Sequence, residues 1–151
     1  MSLVENLLEL LQAAKLDYTV FFRTLSNVDT QKYVAATAGL LLEKSAYEHV
    51  SAENRDQLIR WLRSYLARVE QEQADSSNRS TKMNSANPKY ILRNYYAQLA
   101  IDGAEDRSYE YLEGLFNVLQ RPFAEGTPEE EEKYAKLPPA SSLSLKCSCS
   151  S

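Results

Sequence analysis

Residues Lys82–Ile101, KMNSANPKYILRNYYAQLAI, decide how this chain is read. A polar run, NSANP, gives way to apolar residues at helical spacing. A proline crowds the backbone of the residue before it, which pushes Asn87 toward extended conformation. Pro88 suits a first helical turn, where its missing N–H would have had no partner. Asn87 then acts as N-cap, accepting from an early backbone N–H. Ile91, Tyr95 and Leu99 recur every four residues with Leu92 and Tyr96 beside them, which predicts one buried helical face. On that register Leu92 is a core residue. By itself the stretch describes a packed helix and no reaction.

Outward from it, the same spacing recurs. Leu3, Leu7, Leu10, Leu11 and Ala14 predict a first helix, and Ser2 with Glu5 forms a capping box. So leucine-rich an opening fits a piece of a longer chain, in which that face covers something. Asp17 caps a second helix carrying Tyr18, Phe21, Phe22 and Leu25, whose rings read as core. Gln31 to His49 reads as one interrupted helix or two short ones, with Gly39 weakening the middle. Ser51 opens the clearest long helix, with Leu58, Leu62, Tyr65 and Val69 on one stripe and Trp61 and Leu66 widening it. Gln71 to Thr81 is polar and serine-rich and reads as a linker or frayed end.

After the organising helix, Asp106 or Ser108 caps the next one, whose buried face is Leu112, Leu115, Phe116 and Leu119. Arg121-Pro122 stops it. Thr127-Pro128-Glu129-Glu130 starts a short helix with cap, first-turn proline and capping-box glutamate, and Pro138-Pro139 closes it. The expectation is an all-α protein: a bundle of about five to seven helices in one domain over residues 1–139, with a flexible tail over 140–151.

Bulk properties narrow the function classes. The 151 residues suffice for one domain with a real core. Lys plus Arg number 17 against 21 Asp plus Glu, a net charge of −4. A mildly acidic chain without a basic run is a poor partner for nucleic acid, because phosphate neutralisation dominates that affinity. Arg55, Arg60, Arg63 and Arg68 offer one arginine-bearing face, but Glu53, Asp56, Glu70 and Glu72 dilute it, and a solvated helix face is the better reading. No stretch is apolar enough to span a membrane, and no secretory signal is present. Both cysteines, Cys147 and Cys149, lie at the C-terminal end and cannot staple a core, which fits a reducing, cytoplasmic compartment.

Motifs for phosphate cradling, metal-dependent hydrolysis or a serine nucleophile are absent. His49 is the single histidine and has no ligand-type residues clustered around it, so no metal site and no catalytic residue is expected. The reactive-looking feature is Cys147-Ser148-Cys149 beside Lys146, since an accessible thiolate is what meets an oxidant or a disulfide partner. Two cysteines so close would form a strained ring, so pairing with a distant cysteine is geometrically easier.

The block Arg79, Met83-Asn84, Asn87-Pro88-Lys89, Ile91-Leu92-Arg93-Asn94, Ala97-Gln98 and Ala100-Ile101 resembles the C-terminal region of the selenoprotein O family. So do Leu115, Leu119 and Pro122-Phe123, then Tyr134-Ala135, Pro138-Pro139 and the final Cys149-Ser150-Ser151. Ala140-Ser141 departs from the aromatic residue that the family pattern has after the two prolines. The resemblance implies a parent protein with a kinase-like (pseudokinase) fold that binds ATP in inverted orientation and transfers AMP to protein hydroxyl groups. ATP and magnesium belong to that parent, their ligands lying in the kinase-like part, so no cofactor is implied for this chain.

In that picture the chain is a non-catalytic C-terminal domain. Its partners are the kinase-like domain of the same parent and, through the parent, protein substrates. Cys149 stands where some relatives carry selenocysteine, and the resemblance implies that it pairs with a cysteine of the kinase-like part as a redox regulator. The compartment is then cytoplasmic in a bacterium, mitochondrial in a eukaryote. The competing class is a stand-alone helical protein-interaction domain, using the face of the first helix.

Overall fold

The computed structural model describes residues 2–31, 33–72 and 76–145, and Cys147 and Cys149 lie outside the described residues. Its elements are α1 (Leu3–Ala13), α2 (Tyr18–Ser26), α3 (Val34–Ser45), α4 (Ala52–Gln71), α5 (Ser76–Ala86), α6 (Asn94–Glu105), α7 (Glu110–Leu119) and α8 (Pro128–Tyr134), followed by a 3₁₀ turn, Ala140–Ser144. The all-α expectation holds, with eight α-helices among the described residues and no strand. None of the described helices is long and apolar enough to cross a membrane. The chain divides into two compact units, Met1–Asn87 and Pro88–Ser151.

The first unit packs α1 on α4, α3 on α4, and α2 on both α3 and α5. Its core is aliphatic: Leu7, Leu10, Leu11, Phe21, Leu25, Leu41, Leu42, Leu58 and Leu62 are buried, as is Trp61. Trp61 Nε1 donates to Leu3 O at 2.8 Å, and its ring stacks on Tyr65 at 5.1 Å. The helix starts follow the caps read from the sequence. Ser2 and Glu5 form a capping box, Asp17 Oδ1 accepts from Val20 N at 2.8 Å, and Ser51 caps α4. The α3 helix runs uninterrupted through Gly39, where a β-carbon would meet only open space. Lys15 (φ 48°) ends α1 in the left-handed region, where Leu16 N donates to Leu11 O and Lys15 N to Gln12 O, a Schellman stop.

The second unit packs α6 on α7 and α7 on α8. Its buried cluster is Tyr90, Tyr96, Ala100, Leu115, Val118 and Tyr134. The α6 helix also ends in a Schellman stop: Arg107 (φ 60°) is left-handed, and Ser108 N donates to Gly103 O at 2.8 Å. Neither Asp106 nor Ser108 caps α7, whose N-cap is Tyr109 without a side-chain hydrogen bond. Thr127 and Glu130 form the expected capping box on α8, with Pro128 in its first turn.

Further expectations need correction. The polar stretch Gln71 to Thr81, which reads as a linker or frayed end, holds the first half of α5, so the helix count exceeds the five to seven that periodicity predicts. The organising helix begins at Asn94 and not at Pro88, with Arg93 at its N-cap. Residues 87–93 are not helical, because Lys89 N and Tyr90 N both donate to Pro122 O, at 2.7 and 3.1 Å, instead of entering a helix. The register therefore shifts: Tyr90, Tyr96 and Ala100 are buried and Leu92 is 63% exposed. On α7 the buried residues are Leu115 and Val118, while Leu112 and Phe116 are exposed.

Candidate functional site

The first residues of the family pattern, Arg79, Met83-Asn84 and Asn87-Pro88-Lys89, lie on α5 and the segment that follows. Arg79 on α5 is 7% exposed, and its guanidinium is aimed at the C-terminal end of α2. Nη1 donates to Leu25 O at 3.2 Å and Nη2 to Ser26 O at 3.2 Å and Val28 O at 2.9 Å. Nη1 also donates to Tyr65 Oη at 3.0 Å and approaches Met83 Sδ at 3.1 Å. The last carbonyls of a helix have no partner within it, and a cation there also matches the helix dipole.

Arg23 on α2 returns the arrangement. Its Nη1 donates to Asn84 O and Asn87 O, both at 2.9 Å, at the C-terminal end of α5. Asn27 fills the space between, accepting from Asn84 Nδ2 at 3.0 Å and Ser80 Oγ at 3.1 Å. Each helix thus supplies the arginine that caps the other, which holds α2 and α5 in register with Met83 as the apolar side chain that α5 packs against the core. Such a pair binds two helix ends together and has no group poised for proton transfer or nucleophilic attack.

In the second unit Lys89 is the counterpart. Its Nζ pairs with Glu125 at 2.5 Å and with Glu131, and its side chain is 12% exposed. Burial alone lowers its pKa, but hydrogen bonds to the two glutamates and their charges outweigh it, so the ammonium is held above the ordinary lysine value. Arg121 pairs with Glu130 beside it. Tyr90 is fully buried, its hydroxyl has no hydrogen-bond partner among the described residues, and burial raises its pKa. Tyr96 Oη donates to Lys136 O and Tyr111 Oη to Lys133 O at 3.2 Å, tying α6 and α7 to the end of α8. Burial also raises the pKa of Tyr111 and Tyr134.

Elsewhere the chemistry is thin. Among the described residues no group of three or more His, Cys, Asp or Glu could hold a metal ion. His49 is exposed in the connection before α4. Arg55, Arg60, Arg63 and Arg68 are exposed along α4, and Arg68 Nε pairs with Glu72 at 2.7 Å. An open groove of about 270 Å³ lies between α1 and α4, lined by Leu3, Asn6, Gln57, Arg60, Trp61 and Ser64. It contains no acid–base pair.

Reading apolar periodicity missed Arg23 and Arg79 as organising residues. The available signal was an arginine inside a polar helix that carries no acidic residue, SSNRSTKMNSA.

Residues 1–120 match the family model described as protein adenylyltransferase SelO. Over 99% of its length the chain is similar to proteins called protein nucleotidyltransferase YdiU. It is 38% identical over 152 residues to the one from Cupriavidus metallidurans, covering 26% of that protein. It is 42% identical over 149 residues to the one from Aliivibrio salmonicida, covering 28% of it. With the Pseudomonas aeruginosa protein the identity is 35% over 150 residues, again covering 28%. The chain therefore spans less than a third of the length of these curated relatives.

Proposed function

From the premise that this chain belongs to the protein adenylyltransferase SelO family, we propose that it is the non-catalytic C-terminal helical domain of a longer enzyme that transfers AMP from ATP to protein hydroxyl groups. The kinase-like part of that enzyme binds ATP and magnesium and is the partner on which this domain packs. The observation that carries the reading is what the family-pattern residues do here. Arg79, Met83, Asn84, Asn87 and Lys89 are engaged in contacts between elements of this chain, as donors, acceptors and ion pairs. Residues so engaged act as a scaffold, and phosphoryl or nucleotidyl transfer needs phosphate- and metal-holding groups from elsewhere.

The C-terminal cysteines complete the proposal. Cys149, with Cys147 close by, forms a disulfide with a cysteine of the kinase-like part when an oxidant such as a disulfide or peroxide accepts the two electrons and two protons. Formation and reduction of that bond make the parent's activity redox-sensitive.

The test is AMP incorporation into protein by the 151-residue chain and by the longer enzyme. The proposal expects transfer by the longer enzyme alone. Transfer by the isolated chain, above a heat-inactivated control, overturns the non-catalytic assignment. Native alkylation of the longer enzyme, with and without reductant, tests the tail: equal labelling of Cys149 in both states rules out its redox role.

A further inference from the structure

The α7 helix is apolar on two sides. Leu115 and Val118 face the core of the second unit, whereas Tyr109, Leu112 and Phe116 are 53%, 43% and 61% exposed. Spacings of three and four residues put those three side chains on one stripe. The stripe is bordered by the exposed carboxylates of Glu110 and Glu113. Between residues 105 and 117 the chain carries four carboxylates, Glu105, Asp106, Glu110 and Glu113, against one cation, Arg107. Lys133 reaches Glu110 at 4.0 Å but leaves that side chain 89% exposed.

Two aromatic rings and a leucine left in water along one helix face are characteristic of a docking surface, not of scattered surface residues. An acidic border selects against an acidic partner and favours a basic one.

We propose that the Tyr109–Leu112–Phe116 stripe is the surface through which this domain docks on the kinase-like part of its own polypeptide, against a segment that combines aliphatic side chains with lysine or arginine. This rests on the reading that the chain is one part of a longer adenylyltransferase. Two observations name the occupant: the acidic border, and the relatives' length, over 70% of which lies outside the region this chain matches. Buried aromatics carry the affinity, and Glu110 and Glu113 set the orientation and the choice of partner.

The experiment places a photo-crosslinking benzophenone amino acid at Phe116 in the longer enzyme and maps the products by mass spectrometry. The expected product is an intramolecular crosslink into a lysine- or arginine-bearing segment of the kinase-like part. Charge reversal by Glu110→Lys with Glu113→Lys should lower its yield about tenfold. Hydrogen-exchange protection of α6 to α8 in the same variant shows that the domain is still folded. Crosslinks between two copies, crosslinks to a neutral or acidic segment, or a yield unmoved by charge reversal each overturn the proposal. The broader reading fails separately: a longer enzyme that crosslinks as expected but transfers no AMP refutes the enzyme assignment and leaves the docking face standing. AMP transfer without any crosslink does the reverse.

Discussion

The core of the first unit is built from leucines, Phe21 and Trp61, while half of the described cluster in the second unit is tyrosine: Tyr90, Tyr96 and Tyr134. Aliphatic burial is non-directional, and one leucine can yield to another of similar volume at small cost. A buried tyrosine adds a hydroxyl that must find a partner or leave a desolvated oxygen behind. The second unit therefore depends on where individual oxygens sit. Tyr96 and Tyr111 hand theirs to the carbonyls of Lys136 and Lys133, and Gly114 and Gly126 leave room for the hydroxyls of Tyr134 and Tyr90. The first unit concentrates its directional bonds elsewhere, in the Arg79 and Arg23 caps.

The largest effect should come from breaking that concentration. Arg79→Met keeps most of the volume but takes the guanidinium donor from Ser26 O and Val28 O, while Leu25 O keeps its bond from Val28 N. A loss of about 3 kcal/mol is expected, since each stranded buried acceptor costs on the order of 1–3 kcal/mol. Trp61 is the single tryptophan and lies in the first unit, so its fluorescence during denaturant unfolding reports this loss directly. A loss under about 1 kcal/mol would show that water replaces the guanidinium and that the cap is ornamental.

The tyrosine side of the comparison is sharpened at Gly126. A β-carbon there would lie 1.8 Å from Tyr90 Oη and 2.9 Å from Glu130 Oε2. Gly126→Ala should cost about 1–3 kcal/mol, as overpacking does. Tyr90→Phe alone should be neutral or stabilising, because the oxygen it removes is buried without a partner among the described residues. In the double variant most of the Gly126→Ala cost should disappear, leaving the milder approach to Tyr90 Cζ at 3.0 Å. Additive effects in that double-mutant cycle would mean that the glycine is needed for its backbone and not for clearance.

Alkaline pH gives a smaller, graded probe. Lys89 and Tyr90 both have raised pKa values in the folded protein, from ordinary values of 10.5 and 10.0. A raised value means that their contribution is complete below the ordinary pKa and is lost as pH rises through the folded one. Tyr111 and Tyr134 are raised by burial and act in the same direction. Hydrogen exchange in α6 to α8 should therefore accelerate above about pH 10, after correction for the intrinsic rate. Lys89→Met should blunt the part due to the lysine. An exchange profile unchanged by pH would place these groups in contact with water.

Most of the fold was legible because helix starts are written locally. Ser2 with Glu5, Asp17, Ser51 and Thr127 with Glu130 each cap a helix within three residues of themselves, so four starts could be read without tertiary knowledge. Helix α5 was not legible by the same route: its buried anchor is an arginine, and apolar periodicity does not register a helix held by Arg79, Asn84 and the Arg23 cap. The stops of α1 and α6 were hidden too, because Lys15 and Arg107 occupy left-handed positions where glycine would have announced them. Periodicity on α7 merged two faces into one, since it cannot tell an apolar residue turned inward from one turned outward. Cys147 and Cys149 lie outside the described residues, and the redox role proposed for them rests on the family resemblance alone.

Leu92 is where the misreading has its plainest consequence. As part of a helix begun at Pro88, Leu92 falls on the buried stripe, and Leu92→Ala would then cost about 2–5 kcal/mol. The chain instead is irregular from Asn87 to Arg93, because two successive N–H groups, those of Lys89 and Tyr90, converge on Pro122 O. That anchor puts Tyr90 inside and turns Leu92 out, 63% exposed. With little apolar area to uncover, Leu92→Ala should change stability by less than about 0.5 kcal/mol in the isolated chain. Tyr90→Ala, two residues earlier, should cost several times more. Chemical denaturation of both variants decides between the registers: a large loss at Leu92 with a small one at Tyr90 restores the helix begun at Pro88, and the opposite ranking fixes the non-helical strap.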